Sequence, residues 1–274
     1  MKAISFELSG KTAFFKKPDV NVYSYFTYNN IHKPALLGIL GAILGLKGHN
    51  QLFNEIQILE LKYKNNKKDI ELKEKLEKLK NSYPEYYEKL SNLKISIVPL
   101  AENGYFTKKI QVFNNSVGYA SKEQGGNLIV REQWLESPIW KIIILDDNSI
   151  EREVFDKLED YLLNSKAVFI PYLGKNDHPA KIDNVEIVEL DEIENYKKIE
   201  KYIDSLFSKD GLNDNFNGFE KEGEFPFFFQ EVSPIKLKEK YHFYEYESLV
   251  FTNLELIEFP KNTFRIGNKN YVFI

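Results

Sequence analysis

The sequence predicts an α+β fold, and three observations carry that prediction. Over residues 2–190 the apolar patterning runs strand, helix, strand, strand, helix, strand, the order of a ferredoxin-like unit, with a long excursion between its second and third strands. From about residue 195 the texture changes to short aromatic segments separated by Asn, Gly and Asp, which reads as a β-rich C-terminal appendage. The chain has 274 residues, 43% hydrophobic and 28% charged, enough to bury a full core and unlike a disordered composition.

Residues 2–9 alternate as a half-buried strand, which Gly10–Phe15 continues or turns. Lys16-Lys17-Pro18-Asp19 breaks the pattern, and residues 20–33, rich in Tyr and Asn, form a loop. Pro34 suits the first turn of a helix, where its missing N–H would be unpaired anyway, and Ala35–Leu46 supplies the apolar body. Gly38, Gly41, Gly45 and Gly48 share one face of that helix. Close packing of some other group on the bare backbone must offset their poor helix propensity, and an RNA phosphate is one such group.

Residues 51–92 predict a charged helical insertion. Leu72, Leu76 and Leu79 form a narrow apolar stripe flanked by opposite charges, and breaks at Asn65-Asn66 and Ser82-Tyr83-Pro84 make it a hairpin rather than one rod. Lys94–Pro99 is the next strand. Tyr105–Phe113 and Asn127–Val130 are arms of a β-hairpin about a polar loop, residues 114–126. Trp140–Leu145 is a strand, Ile150–Leu163 an amphipathic helix, and Ala167–Tyr172 and Val185–Leu190 are strand candidates. A polar helix over Tyr196–Phe207 and a linker over Lys209–Gly218 follow. The β segments Phe225–Val232, Tyr241–Tyr246, Leu249–Phe259 and Thr263–Ile274 complete the chain. The organisation is therefore a domain over 1–194, carrying the insertion 51–92 and the hairpin 105–131, and a β-rich region over 195–274.

Several function classes drop out. Without cysteine there are no disulfides, thiolate metal sites, iron–sulfur clusters or cysteine nucleophiles. His32, His49, His178 and His242 are scattered, with no pair at helical ligand spacing, so no metal site is expected. No Walker loop, dinucleotide fingerprint or serine elbow points to a cofactor or an acyl transfer. Asp146-Asp147 reads as a turn with a helix cap, and Asp177-His178 as a turn before Pro179. The N-terminal residues lack an apolar signal core, and the longest apolar run, Pro34–Leu46, is too short to span a bilayer. A soluble, cytoplasmic protein without a membrane partner is expected.

The net charge of −4 argues at first against a nucleic-acid partner, but it is unevenly distributed. Residues 1–145 hold 21 Lys and Arg against 14 Asp and Glu, a balance of +7; residues 146–274 hold 16 against 27, a balance of −11. A basic first half and an acidic second half suggest different partners. Lys11, Lys16, Lys17, Lys33 and Lys47 lie in the basic half with Tyr23, Tyr25, Tyr28 and Tyr119, a mixture suited to phosphate attraction and base stacking. The residues expected to bind RNA are Lys16, Lys17, Tyr28, Lys47, His49, Lys108, Lys109, Tyr119, Lys122 and Arg131.

Four segments then carry a family resemblance. They are Phe6-Glu7-Leu8-Ser9-Gly10-Lys11-Thr12-Ala13-Phe14-Phe15-Lys16-Lys17-Pro18, the helix Pro34–Leu46, Val130-Arg131-Glu132-Gln133-Trp134-Leu135-Glu136-Ser137-Pro138, and Ile170-Pro171-Tyr172-Leu173-Gly174-Lys175-Asn176-Asp177-His178-Pro179-Ala180. In this order they resemble the CRISPR-associated protein 5 family, most of all its type I-B members, over most of residues 1–190. The resemblance implies an RRM-like domain of the repeat-associated RNA-binding superfamily. It also implies a non-catalytic place in Cascade, the crRNA-guided surveillance complex of antiviral defence. There the subunit caps the 5′ handle of crRNA, folds a β-hairpin thumb over it, and contacts the large subunit and the backbone subunit. Residues 105–131 match that thumb. Contact with target DNA near the PAM is left open. Lysine stands near Phe15 where the family commonly has arginine, which keeps the charge and loses bidentate phosphate geometry. The alternative is a metal-independent endoribonuclease that processes repeat RNA, as type I-C relatives do, with Tyr28, Lys47 and His49 as its candidate groups.

Overall fold

The computed structural model describes residues 1–19, 23–115, 122, 128–193, 201–209, 225–239 and 241–274. In chain order the first elements are β1 (Lys2–Ser9), β2 (Thr12–Ala13), α1 (Lys33–Leu44), α2 (His49–Asn65), α3 (Ile70–Lys80), α4 (Glu85–Leu90) and β3 (Ile95–Pro99). A short 3₁₀ turn, Glu102–Gly104, leads to β4 (Lys108–Asn115), β5 (Leu128–Glu136), β6 (Ile139–Asp146), α5 (Arg152–Leu163), β7 (Lys181–Glu189) and β8 (Asp191–Glu192). The C-terminal strands are β9 (Phe207–Ser208), β10 (Phe228–Leu237), β11 (Tyr244–Thr252), β12 (Thr263–Ile266) and β13 (Lys269–Val272).

The central sheet has the order β3-β6-β1-β7, antiparallel throughout. With α1 between β1 and β3, and α5 between β6 and β7, this is the ferredoxin-like connectivity expected of the α+β fold. Alternation along the strands divides the sheet into two faces. Ile4, Phe6, Leu8, Ile142 and Ile144 pack in the main core with α1 and α5. Ala3, Val98, Ile143 and Leu145 form a second cluster with Tyr271 and Phe273, so the C-terminal hairpin β12–β13 and the residues after it cover part of the other face. Leu206, Leu237 and Leu249, from the C-terminal region, belong to the main core.

Helix α1 is apolar nearly all round and is enclosed accordingly: Leu36, Leu37 and Leu40 are fully buried. Its glycines serve separate ends. A Cβ on Gly41 would lie 2.5 Å from Tyr86 Cβ, so Gly41 admits α4. Gly45 ends the helix with φ 78°, while its N–H and that of Leu46 bond to Ala42 O and Gly41 O. Gly48 is the cap of α2, and Gly38 faces open space. Tyr86 and Val168 of the chain itself therefore fill the close approach for which an RNA phosphate was one expected occupant.

The insertion forms the expected hairpin of α2 and α3, interrupted at Asn66 and before Pro84. Several expected elements differ, two of them in kind. Ala167–Tyr172 is not a strand, apart from one bridge between Tyr172 and Pro179. The N–H groups of Val168 and Phe169 donate to Ile43 O (2.9 Å) and Ala42 O (3.1 Å), satisfying carbonyls at the end of α1. In the range Tyr196–Phe207, residues 201–206 form no helix, and the Leu206 N–H bonds to Ile97 O at the sheet edge; residues 196–200 lie outside the described set. Among the described residues no helix is long and apolar enough to cross a membrane.

Lys33, at the start of α1, is also not the surface cation expected. It is 8% exposed and donates from Nζ to Ile274 O at 3.0 Å. Burial first, then Lys236, lowers its pKa from 10.5 to about 8, with Glu247 opposing. The unfolded chain therefore holds this proton more tightly, so charged Lys33 penalises the fold below about pH 8, and the penalty is relieved as the pH rises towards 10.5. Urea unfolding should show Lys33→Met losing this relief, amounting to about 3 kcal/mol at most over that range. Parallel pH profiles for the two proteins would contradict it.

Candidate nucleic-acid interface

The sequence around Lys16 and Lys17 cannot continue a sheet, because Pro18 follows, yet it is held extended by a second string of chain. Tyr28 N donates to Phe15 O (2.9 Å), Lys17 N to Phe26 O (2.8 Å) and Phe15 N to Thr27 Oγ1 (2.9 Å). The second string also joins the hairpin β4–β5: Tyr25 N donates to Arg131 O (2.8 Å), and Gln133 N to Tyr25 O (2.9 Å). Residues 25–28 thus tie the Lys16-Lys17 corner to the root of the hairpin.

Three lysine–tyrosine pairs result. Lys16 Nζ lies 3.8 Å from the Tyr25 ring centroid, Lys17 Nζ 5.1 Å from that of Tyr28, and Lys108 Nζ 5.0 Å from that of Tyr105. Each ring face attracts its ammonium and limits where it points. Phe26 and Tyr105, 40% and 54% exposed, add open aromatic surface beside them. Burial lowers the Lys108 pKa, with Lys17 adding to the shift and Glu231 opposing it. Such pairs offer cations for a phosphate backbone and rings for unstacked bases.

Not every expected residue joins these pairs. Tyr28 is 3% exposed and bonded to Tyr246, with its ring edge-on to His32 at 5.3 Å. Burial and that bond push its hydroxyl pKa far up, and Lys17 takes its face, so Tyr28 supports a cation and offers no platform for a base. Arg131 is exposed on β5. Lys109 pairs with Glu136 at 3.6 Å. Lys122 is exposed, and Tyr119 lies outside the described residues.

Lys47 and His49 sit elsewhere, at the corner between α1 and α2. Lys47 Nζ is 2.7 Å from Glu55, which raises its pKa, and its N–H donates to Glu85. His49 Nε2 meets the Tyr86 hydroxyl at 3.4 Å, and its ring lies 5.4 Å from that of His242. Burial first, then His242, lowers its pKa. Strand β10 links the two places, with Glu231 beside Lys17 and Leu237 bonded to Tyr83 and Tyr87 of the other corner. Tyr28 bonds to Tyr246 rather than to Lys47 or His49, and the Lys47 cation is committed to carboxylates.

Sequence reading missed Tyr105, Glu231 and Lys175. Glu231 accepts the N–H groups of Asn29 and Asn30 and pairs with Lys17 at 3.4 Å. Its one signal was an acid inside the apolar run 225–232. Lys175 reaches both oxygens of the buried Glu132 at 3.0 Å, and Trp134 Nε1 donates to the same carboxylate at 2.9 Å. Beside it, fully buried His178 bonds through Nδ1 to Thr12 Oγ1 at 2.6 Å and packs edge-on to Trp134. The loop 171–180 thereby fixes the hairpin to the β1–β2 corner.

No protein-family model matches the chain, and no curated protein matches it. Among solved structures it is similar to a chain of a CRISPR RNA-guided surveillance complex, with 9% identity and a TM-score of 0.47, covering 93% of this chain and 91% of that one. It is also similar to a CRISPR protein from Archaeoglobus fulgidus, with 12% identity, a TM-score of 0.42, and 99% and 98% of the two chains covered. A third is a chain of the Type III-B Cmr-beta complex bound to cognate target RNA and AMPPnP, with 13% identity, a TM-score of 0.38, and coverage of 93% and 86%.

Proposed function

We propose that this chain is a non-catalytic RNA-binding subunit of a type I CRISPR surveillance complex. In this reading it caps the 5′ handle of crRNA and anchors the large and backbone subunits. The observation that carries the RNA-binding part is the set of pairs Lys16–Tyr25, Lys17–Tyr28 and Lys108–Tyr105 at the hairpin root. Tyr271 and Phe273 cover part of the sheet face on which RRM domains stack bases, which favours the hairpin side as the RNA track. The handle, the complex and its subunits come from the four-segment sequence resemblance.

The test is binding of a short single-stranded handle RNA over a salt series. Affinity should fall as salt rises, and Lys16→Glu/Lys17→Glu/Lys108→Glu should weaken it by roughly 10- to 100-fold and flatten the salt slope by about two. The same charge change on the insertion, Lys73→Glu/Lys75→Glu/Lys78→Glu, is the control and should cost far less. Equal losses from both triples, or salt-independent binding, would remove the assignment.

The non-catalytic part is supported by the burial of Tyr28, whose hydroxyl is bonded to Tyr246, and by the pairing of Lys47 with Glu55. Incubation with repeat RNA in EDTA should leave the RNA intact. Specific cleavage abolished by His49→Ala would establish the endoribonuclease instead.

A further inference from the structure

We propose that the recess formed by Asn29, Asn30, Lys17 and Lys108 is a phosphate-binding site for single-stranded RNA, and that the Glu231 carboxylate occupies it as an internal competitor. The inference deepens the RNA-binding reading and rests on it. The Asn29 N–H lies 3.0 Å from both Glu231 oxygens, the Asn30 N–H 3.3 Å from one, and Lys17 Nζ 3.4 Å from the other. Two successive backbone N–H groups aimed at one anion form a nest, and nests take carboxylate or phosphate oxygens alike. A phosphodiester carries the same single charge as a carboxylate and also presents two equivalent oxygens.

The donors are positioned without help from Glu231. Asn29 Nδ2 donates to Gly104 O at 2.8 Å, and its Oδ1 accepts the Phe106 N–H at 3.1 Å. Asn30 Oδ1 accepts Trp140 Nε1 at 3.0 Å. The nest is thus built from the ferredoxin-like core, whereas its occupant arrives from β10, an outer strand of the sheet β10-β11-β9. The charges do not cancel: two ammonium groups face one carboxylate. Among the described residues, the side-chain NH₂ of Asn30, itself 3% exposed, finds no acceptor. The exchange requires the Glu231 side chain to leave the nest by a change of rotamer.

The experiment measures short single-stranded RNA binding by Glu231→Gln, which removes the competing charge and keeps the shape. The expected result is binding roughly five- to tenfold tighter than the parent, against less than twofold for Glu60→Gln, which removes the partner of Lys80 on the helical insertion and controls for general charge. Adding Lys17→Gln to Glu231→Gln should cancel the gain. Equal gains from the two Gln variants, or none from Glu231→Gln, would overturn the proposal while leaving RNA binding intact. A parent chain that binds no RNA would overturn both. If Glu231→Gln does not fold, the parent decides: RNA must shift the amide resonances of Asn29 and Asn30, and unshifted resonances overturn the site.

Discussion

Gly174→Ala should lower stability by about 4 kcal/mol or more, read as a large drop in the urea midpoint. Gly174 has φ 90°, and a Cβ built there would lie 1.9 Å from Phe14 O and 2.7 Å from its carbonyl carbon. Neither atom is free to retreat, because Phe14 N donates to Leu173 O at 3.1 Å and ties the two backbones together. Relief requires moving the loop 171–180 away from the β1–β2 corner. That motion pulls fully buried Leu173 from the core, parts Lys175 from Glu132, and breaks the bond between His178 and Thr12. Gly267 provides the comparison: its φ is 62°, but nothing lies within 4 Å of its Cβ position. Gly267→Ala should cost only about 1 kcal/mol, the conformational part alone. Equal losses at both sites would refute the steric argument.

The dependence of that loop on distant partners explains what the sequence reading reached and what it missed. Strands β1, β3 and β6 and helices α1 and α5 bury continuous or periodic apolar residues, so their own patterning identifies them. The second hairpin arm was expected to end at Val130, but β5 runs on to Glu136. Arg131, Glu132 and Gln133 look wrong for a strand until Lys175, 43 residues further on, neutralises Glu132. Val168, Phe169 and Ile170 look right for a strand, yet the first two spend their N–H groups on the end of α1. Charge counting located the basic half of the chain. It had no means of finding Glu231, an acid from the other half that the fold inserts beside Lys17, nor of separating Lys16 and Lys17 from Lys47. Local pattern reports an element; only the closed fold reports which charges meet.

Acid should destabilise the protein through His32, at the start of the same helix whose end the loop caps. His32 is 4% exposed, and its Nδ1 accepts the Ala35 N–H at 3.2 Å, so the imidazole must be neutral to act as the N-cap of α1. Phe15, Tyr28 and Tyr244 surround the ring edge-on at 5.3 to 6.1 Å. Burial lowers its pKa from 6.5 to about 3. The unfolded chain therefore takes up this proton first as the pH falls. The contribution of neutral His32 is complete above pH 6.5 and is lost progressively between 6.5 and about 3. Asparagine caps helices as well as any residue and does not titrate, so His32→Asn keeps the cap acceptor and removes the proton site. At about pH 7 the variant should be the less stable, having lost the ring contacts. By about pH 4.5 the gap should shrink by roughly 2–3 kcal/mol, since each pKa unit is worth about 1.4 kcal/mol. Carboxylates, His49 and His178 titrate in both proteins and cancel in the difference. Urea titrations at the two pH values decide it: a constant gap would mean that His32 takes up its proton as readily in the folded chain as in the unfolded one, and that its ring does not cap α1.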